Sequence, residues 1–189
     1  MNVDYLIRKL LGRATCKIER GARLLRSARI RNIRGQSEYI RIGSKTLVAG
    51  ELLVFPSGGQ IDIGEWGYVG ENTRIWSAAS IRIGNRVLIS HDVNIIDSLT
   101  HPLNARDRHE QYRAIVDGGH PVNVKLDERP IVIEDDVWIA AGVIILRGVR
   151  IGKGAVIGAG SVVSSDVPAL CVMAGNPAQI VRELREDER

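Results

Sequence analysis

The chain has 189 residues, 20 of them glycine, with only 4% aromatic residues and a formal net charge of +4 at pH 7. That length accommodates one domain with a short appendage, and two cysteines as far apart as Cys16 and Cys171 argue against a disulfide framework. No apolar run approaches the roughly 18 residues of a membrane span. Arg8, Lys9 and Arg13 interrupt the first apolar stretch, which argues against a signal peptide. We therefore expect a soluble, cytoplasmic protein.

Residues 1–34 are strongly basic, with ten Lys or Arg against Asp4 and Glu19. Leucines and isoleucines near helical spacing predict one or two short helices, which would form a cap over the open end of the following domain. The same segment could instead lie on an anionic membrane surface. Nucleic-acid binding is not expected, because the positive charge is confined to this segment and aromatic residues for stacking are few.

A six-residue period dominates the C-terminal third of the chain. Aliphatic residues recur at Ile133, Ile139, Ile145, Ile151, Ile157 and Val163. Small or β-branched residues follow four positions later, at Val137, Val143, Val149, Ala155, Ser161 and Val167. A short fixed period indicates a solenoid, and a period of six fits neither an α-helix nor simple strand alternation. It predicts a triangular prism of β-strands with two inward residues per face and about eighteen residues per turn.

The earlier repeats are less regular. The period begins at Ile42, is interrupted at residues 56–59 and shifts by two residues at 81–83. Glycine directly follows a core aliphatic residue at Gly43, Gly64, Gly70, Gly84, Gly152 and Gly158. We expect the chain to turn a corner at these glycines, which tolerate positive φ angles.

Between residues 100 and 130 the period disappears into a stretch rich in charge, histidine and proline. A long excursion from a regular scaffold is commonly functional, so we expect a projecting loop over 100–130. Beyond the last repeat, a turn at 175–177 predicts a short C-terminal helix over 178–185. The domain then comprises residues 35–185, preceded by the helical cap.

Three short motifs accompany the repeats: Thr100-His101-Pro102, Asp136-Val137-Trp138-Ile139 and Ala174-Gly175-Asn176-Pro177-Ala178. With the repeats, they resemble the hexapeptide-repeat O-acetyltransferases, particularly the maltose, galactoside and polysaccharide-modifying acetyltransferases, over roughly residues 60–184. The resemblance implies an all-β fold, a left-handed parallel β-helix. It also implies acetyl-CoA-dependent transfer to a sugar hydroxyl, in polysaccharide or glycoconjugate biosynthesis, by a homotrimer with active sites between subunits.

Acetyl transfer to a hydroxyl requires a base, because the hydroxyl must lose its proton as it attacks. A histidine titrating near neutrality suits this role, and the resemblance assigns it to His101. Asp97, four residues earlier, could orient the imidazole or could be a solvated carboxylate. His91 is expected to face outward, His109 to lie in the loop, and His120 is a weaker candidate base.

No metal is expected. The zinc-binding branch of this fold pairs two histidines five positions apart, and no pair of histidines in this chain has that spacing.

The resemblance also implies binding residues. For the acceptor these are Asn72 and Asn94, whose amides both donate and accept hydrogen bonds. For acetyl-CoA they are Ala141, Ala159, Ser164, Gln179 and Arg182, with Arg182 as the phosphate partner. Two departures stand out: Ser77-Ala78-Ala79 replaces acidic residues of the sugar acetyltransferases, and Ser164-Ser165 replaces a frequent Thr-Lys.

The acceptor and the reaction stay open at this point. Arg106, Arg108, Arg113 and Lys125 of the loop could meet a phosphate-bearing or acidic sugar, or could simply be solvated. Two other functions remain: a non-catalytic β-helix scaffold subunit, and N-acetyl transfer to an amino sugar.

Overall fold

The computed structural model describes Ile7 and residues 15–189. Residues 15–189 form twenty short strands, one α-helix and two 3-10 turns. The strands are β1 (Lys17–Ile18), β2 (Arg23–Leu24), β3 (Arg29–Asn32), β4 (Ile40–Ile42), β5 (Leu47–Val48), β6 (Glu51–Val54), β7 (Ile61–Ile63), β8 (Tyr68–Val69), β9 (Arg74–Ser77), β10 (Ile81–Ile83), β11 (Leu88–Ile89), β12 (Asn94–Ile96), β13 (Ile131–Ile133), β14 (Trp138–Ile139), β15 (Ile144–Ile145), β16 (Arg150–Ile151), β17 (Val156–Ile157), β18 (Val162–Val163), β19 (Cys171–Gly175) and β20 (Ala178–Glu183). The helix is α1 (Ala105–Gly118), and the 3-10 turns are Ser37–Tyr39 and Glu186–Glu188.

The strands build three sheets that form the faces of a prism. Sheet A contains β1, β4, β7, β10, β13 and β16; sheet B contains β2, β5, β8, β11, β14, β17, β19 and β20; sheet C contains β3, β6, β9, β12, β15 and β18. From β1 to β18, three successive strands therefore make one coil, and each strand pairs in parallel with its counterpart one coil away. The predicted prism of parallel strands is confirmed.

The inward residues form a continuous aliphatic core. Ile133, Ile139 and Ile145 pair with Ile151, Ile157 and Val163, so these coils repeat every eighteen residues as expected. All six of these side chains are buried. Parallel strands tolerate such runs because the coils above and below satisfy their backbone groups.

Glycine at the corners serves a different purpose from the one expected. Gly43 and Gly64 do not have positive φ angles; those fall two residues later, at Lys45 and Trp66. A Cβ on Gly64 would lie 2.5 Å from the carbonyl oxygen of Gly84 in the next coil. Close stacking of the coils therefore excludes a side chain there.

The N-terminal prediction is wrong for the described part of the segment. Residues 17–32 form β1, β2 and β3, the first coil of the prism. Ile18, Leu24 and Ile30 are six residues apart and belong to the core or pack against it, so the hexapeptide spacing outweighs the helical one. Residues 1–14 apart from Ile7 lie outside the described residues, so the cap and the membrane contact stay untested there.

The predicted C-terminal helix is also wrong. Residues 178–183 form β20, which pairs antiparallel with β19. The turn before it reverses the chain onto the last strand of sheet B, and the open edge of that strand supplies backbone partners that an isolated six-residue helix would lack. Among the described residues, no helix has the length and apolarity needed to cross a membrane.

The excursion between sheets C and A is a loop built around α1. Asn104 caps the helix by accepting hydrogen bonds from the backbone amides of Arg106 and Asp107. Two backbone hydrogen bonds close the base of the loop: the Leu99 amide donates to Leu126, and the Arg129 amide donates to Asp97. The loop is therefore an insertion fastened at both ends to one corner of the prism.

Candidate active site

His101 lies at the beginning of this loop. The residue before it, Thr100, has a φ of 62°, a left-handed conformation that is strained for a β-branched residue. The His101 side chain is exposed. Strain next to an exposed histidine is a pattern found at functional sites.

Gln111 of α1 holds the His101 ring. Its amide nitrogen donates to the Thr100 carbonyl oxygen at 3.2 Å, which turns its amide oxygen toward Nδ1 of His101, 2.7 Å away. An amide oxygen can only accept, so Nδ1 carries the proton of the neutral ring and Nε2 keeps its lone pair. Gln111 is buried, and this geometry therefore presents Nε2 as a base.

Asp97 does not contact His101. Its carboxylate accepts hydrogen bonds from the Ser77 hydroxyl at 2.7 Å and from the backbone amides of Ala78 and Ala79 at 2.7 and 3.0 Å. Burial raises the pKa of the Asp97 carboxyl, against the effect of these bonds. The expected orienting role is thus corrected: the Asp97 carboxylate holds the corner after β9 and not the His101 ring.

His120 packs against Phe55, beside the outer face of sheet C. Its ring meets Phe55 edge-on, with 5.4 Å between centroids, beside the cluster of Leu53, Phe55 and Ala78. Burial lowers the pKa of His120, and the positive charge of Arg31 adds to this effect. His120 therefore anchors the returning part of the loop to the prism.

One edge of the prism gathers several of the remaining candidates. We call the corners between sheets B and C, residues 25–28, 49–50, 70–73, 90–93, 140–143 and 158–161, the BC ridge. Asn72, Ala141 and Ala159 all lie on it, each in a different coil. Asn94 follows the ridge on sheet C, where its amide oxygen accepts a hydrogen bond from Arg74 at 3.4 Å.

His91 also lies on the BC ridge and is exposed. Its Nδ1 is 2.7 Å from the Asp92 carboxylate, and this contact holds the pKa of Asp92 below its usual range. His91 thus has the carboxylate partner that His101 lacks, which makes it the main rival as a base. His109, by contrast, is an exposed residue of α1.

The other candidate coenzyme residues are dispersed. Gln179 pairs with Ala174 close to the ridge, whereas Ser164 lies on the opposite side of sheet C, at the corner with sheet A. The Arg182 guanidinium forms hydrogen bonds of 2.6 and 2.9 Å with Glu188, which lower the pKa of Glu188 to about 2. Arg182 also lines a cavity of about 830 Å³ against Trp138.

A metal site is not part of this arrangement. Within residues 15–189, no three side chains of the His, Cys, Asp or Glu type come together as a metal-binding group.

The architecture defines a left-handed β-helix protein with a projecting loop. Residues 130–165 match the family model described as bacterial transferase hexapeptide (six repeats). The chain is 32% identical over 152 residues to a galactoside O-acetyltransferase of Lactococcus lactis, covering 79% of this chain and 66% of that protein. The chain belongs to the hexapeptide-repeat acetyltransferase family.

Solved structures agree with this assignment. The hexapeptide-repeat acetyltransferase VCA0836 from Vibrio cholerae is 28% identical, with a TM-score of 0.63 over 98% of this chain and 84% of that one. AntD, an N-acyltransferase from Bacillus cereus, has a TM-score of 0.73 at 16% identity over 95% of this chain and 90% of that one; it supports the fold alone. The chain spans 43–66% of the length of the first curated relatives it matches.

Sequence reasoning missed Gln111. The helix α1 brings residue 111 back over residue 101. We had expected an irregular loop over this stretch and no helix. Without a helix there was no reason to place the two side chains together.

We expect Asp97→Ala to reduce the free energy of unfolding by about 2–4 kcal/mol, because it leaves buried hydrogen-bond donors without an acceptor. Urea denaturation measures this, with Asp117→Ala on the exposed surface of α1 as a control that changes stability by about 0.5 kcal/mol or less. Wild-type stability together with lost catalysis would contradict this and return Asp97 to the catalytic apparatus.

Proposed function

We propose that the protein is an acetyl-CoA-dependent O-acetyltransferase that acts on a sugar hydroxyl, with His101 as general base. The observation that carries the proposal is the His101–Gln111 contact, which leaves Nε2 unprotonated and exposed. Family membership supplies the reaction class. A non-catalytic scaffold would have no need of this arrangement.

The chemistry requires one proton to move. As the sugar oxygen attacks the thioester carbonyl carbon, Nε2 of His101 takes the hydroxyl proton. The tetrahedral intermediate then collapses, the bond from carbon to sulfur breaks, and the imidazolium returns the proton to the leaving thiolate. Gln111 accepts from Nδ1–H in both states of the ring, so the ring keeps its orientation throughout.

The coenzyme is proposed to lie along the C-terminal coils of the BC ridge. Small residues at Ala141 and Ala159 leave the backbone accessible to an extended pantetheine arm, and Gln179 follows near the end of the ridge. Ser164 and Arg182 remain candidates for the nucleotide end. Arg182 has to exchange the Glu188 carboxylate for a phosphate. The V. cholerae relative has been crystallised with acetyl coenzyme A, at 25% identity to this chain and a TM-score of 0.57.

We propose a homotrimer in the cytoplasm, with a role in polysaccharide or glycoconjugate biosynthesis. Exposed apolar side chains support the assembly: Leu88 and Trp138 are neighbours on sheet B, each 50% exposed. Tyr112 and Val116 are exposed on α1. A neighbouring subunit would cover these surfaces, and its BC ridge would then complete the site opened by His101.

Replacing His101 by alanine is expected to lower acetyl transfer roughly 10²–10⁴-fold and to leave acetyl-CoA binding unchanged. Thiol release measures the first and calorimetry the second. His109→Ala is the matched control, and its turnover should be normal. If His91→Ala abolishes transfer and His101→Ala does not, the base is His91.

A carboxylate in place of Gln111 should change the pH dependence. In Gln111→Glu the new carboxylate stabilises the protonated, imidazolium form of the ring relative to the neutral form. Because the base must be deprotonated, the acidic limb of kcat/KM moves to higher pH, by about one unit. Gln111→Leu should lower kcat without that shift. If both variants change only stability, Gln111 does not position His101.

Assembly through sheet B is tested with Trp138→Asp. The charge should dissociate the trimer, because burying an unpaired carboxylate at an apolar contact is unfavourable. Light scattering coupled to gel filtration measures the mass. Trp66→Asp is the matched control: Trp66 is 60% exposed at the corner between sheets A and B, and its substitution should leave the trimer intact. A wild-type monomer would contradict the proposal.

A further inference from the structure

A cationic pocket lies on the BC ridge over the first three coils. It has a volume of about 320 Å³, and three arginines line it: Arg26, Arg29 and Arg74. Ser27, Glu51 and Asn72 complete the polar wall. All three arginines are exposed, and none of them is among the basic loop residues considered from the sequence.

The carboxylate in the pocket wall is directed away from these arginines. Strand register places Glu51 between Arg29 and Arg74 on the outer face of sheet C. However, its Oε1 accepts a hydrogen bond from Trp76 Nε1 at 3.0 Å and lies 3.7 Å from Arg31. Both partners belong to the adjacent row of side chains, so the negative charge is held on that side.

Two other acids lie near the pocket. Glu71 is 3.4 Å from the hydroxyl of Ser27, a residue of the pocket wall, and Asp92 is bonded to His91 and also interacts with Asn72 and Arg74. Arg74 donates only to the neutral amide of Asn94. Within residues 15–189, no carboxylate lies within ion-pair distance of Arg26, Arg29 or Arg74. Three guanidinium groups therefore line one small pocket, and the carboxylate in its wall, Glu51, is bonded to Trp76.

The shape of the pocket favours a compact anion. Three small residues, Ala28, Ala49 and Gly50, line the pocket beside the arginines. Its volume is near the lower end of the roughly 300–1,000 Å³ typical of ligand sites. Guanidinium groups bind phosphate oxygens through paired hydrogen bonds, and a diphosphate offers oxygens to more than one of them.

The pocket lies close enough to the proposed coenzyme site for one acceptor molecule to reach both. Neighbouring coils are about 4.8 Å apart, so the third coil, with Asn72 and Arg74, lies about 10 Å before Ala141 on the fifth coil. A sugar attached to a phosphate held among the arginines would extend along the ridge toward the proposed thioester.

By contrast, two of the basic loop residues are occupied. Arg106 pairs with Glu110 at 3.0 Å, and Arg108 donates to the backbone carbonyls of Pro102 and Leu103. The loop is thus a weaker anion site than the ridge.

We propose that this pocket binds the phosphate or diphosphate group of a sugar-phosphate acceptor. The inference deepens the proposed function and rests on it for the identity of the acceptor. The binding of the anion itself can be tested separately.

The test is calorimetric titration of the full chain with inorganic pyrophosphate, at about 150 mM salt to screen diffuse charge. Wild type should bind one pyrophosphate per subunit. Arg29→Gln and Arg74→Gln should each weaken binding about tenfold or more. Glu51→Gln keeps the acceptor for Trp76, removes a negative charge and should tighten binding. Arg20→Gln, an exposed arginine at the corner between sheets A and B, is the control and should have no effect.

Several results would overturn the inference: no pyrophosphate binding by wild type, equal loss in Arg20→Gln, or unchanged affinity in both pocket variants. Sedimentation with vesicles of phosphatidylcholine and phosphatidylglycerol forms a further arm. Equal loss of vesicle binding in Arg29→Gln and Arg20→Gln, without pyrophosphate binding, would indicate a membrane surface and contradict the pocket.

Acetyl transfer separates this inference from the proposed function. With a nucleoside-diphosphate sugar as acceptor, Arg29→Gln should raise KM about tenfold at constant kcat. If pyrophosphate binds but acetyl is transferred to no acceptor, the proposed transferase function is refuted, and the pocket still stands as an anion-binding site. If the protein transfers acetyl to a neutral sugar, Arg29→Gln leaves that transfer unchanged and pyrophosphate does not bind, the anion site is refuted and the transferase is supported.

Discussion

The hydrogen-bonded ladder between successive coils is the constraint on which the rest of this structure depends. Each strand is only two to six residues long, so no strand could persist alone. The coil above and the coil below satisfy its backbone and cover the aliphatic side chains of the core. Most inward positions are therefore apolar, and the buried hydroxyls of Thr46, Thr73 and Ser161 donate to backbone carbonyls. Residues such as Gly64 must be small enough for the coils to approach.

That constraint also determines where function can be placed. A change inside a coil disturbs two neighbouring coils, whereas an insertion at a corner leaves the ladder intact if its ends are held together. The loop after β12 satisfies this condition through its bonds at Leu99 and Arg129. It can then carry a helix, and that helix returns Gln111 to the exposed ring of His101.

Assembly and ligand binding are proposed to use different outer surfaces of the prism. Sheet B presents apolar side chains suited to a neighbouring subunit, and the BC ridge presents small and polar residues in vertical rows. The first coil, although assigned to a helical cap on sequence grounds, contributes Arg26 and Arg29 to the pocket on this ridge. The basic N-terminal segment is thus partly an extension of the proposed site.

The sequence by itself determined the prism, because a period of six between Ile133 and Val163 is compatible with few other backbones. It also singled out His101, through its motif and its position at the loop. It did not determine the partner of His101, the direction of the Glu51 carboxylate or the strand at 178–183. Those depend on contacts between residues distant in sequence, such as Gln111 on α1 or the open edge of β19. The spacing of residues along the chain indicates which face of the prism each one occupies. Which other residues that face contacts is decided only when the coils and the loop pack together.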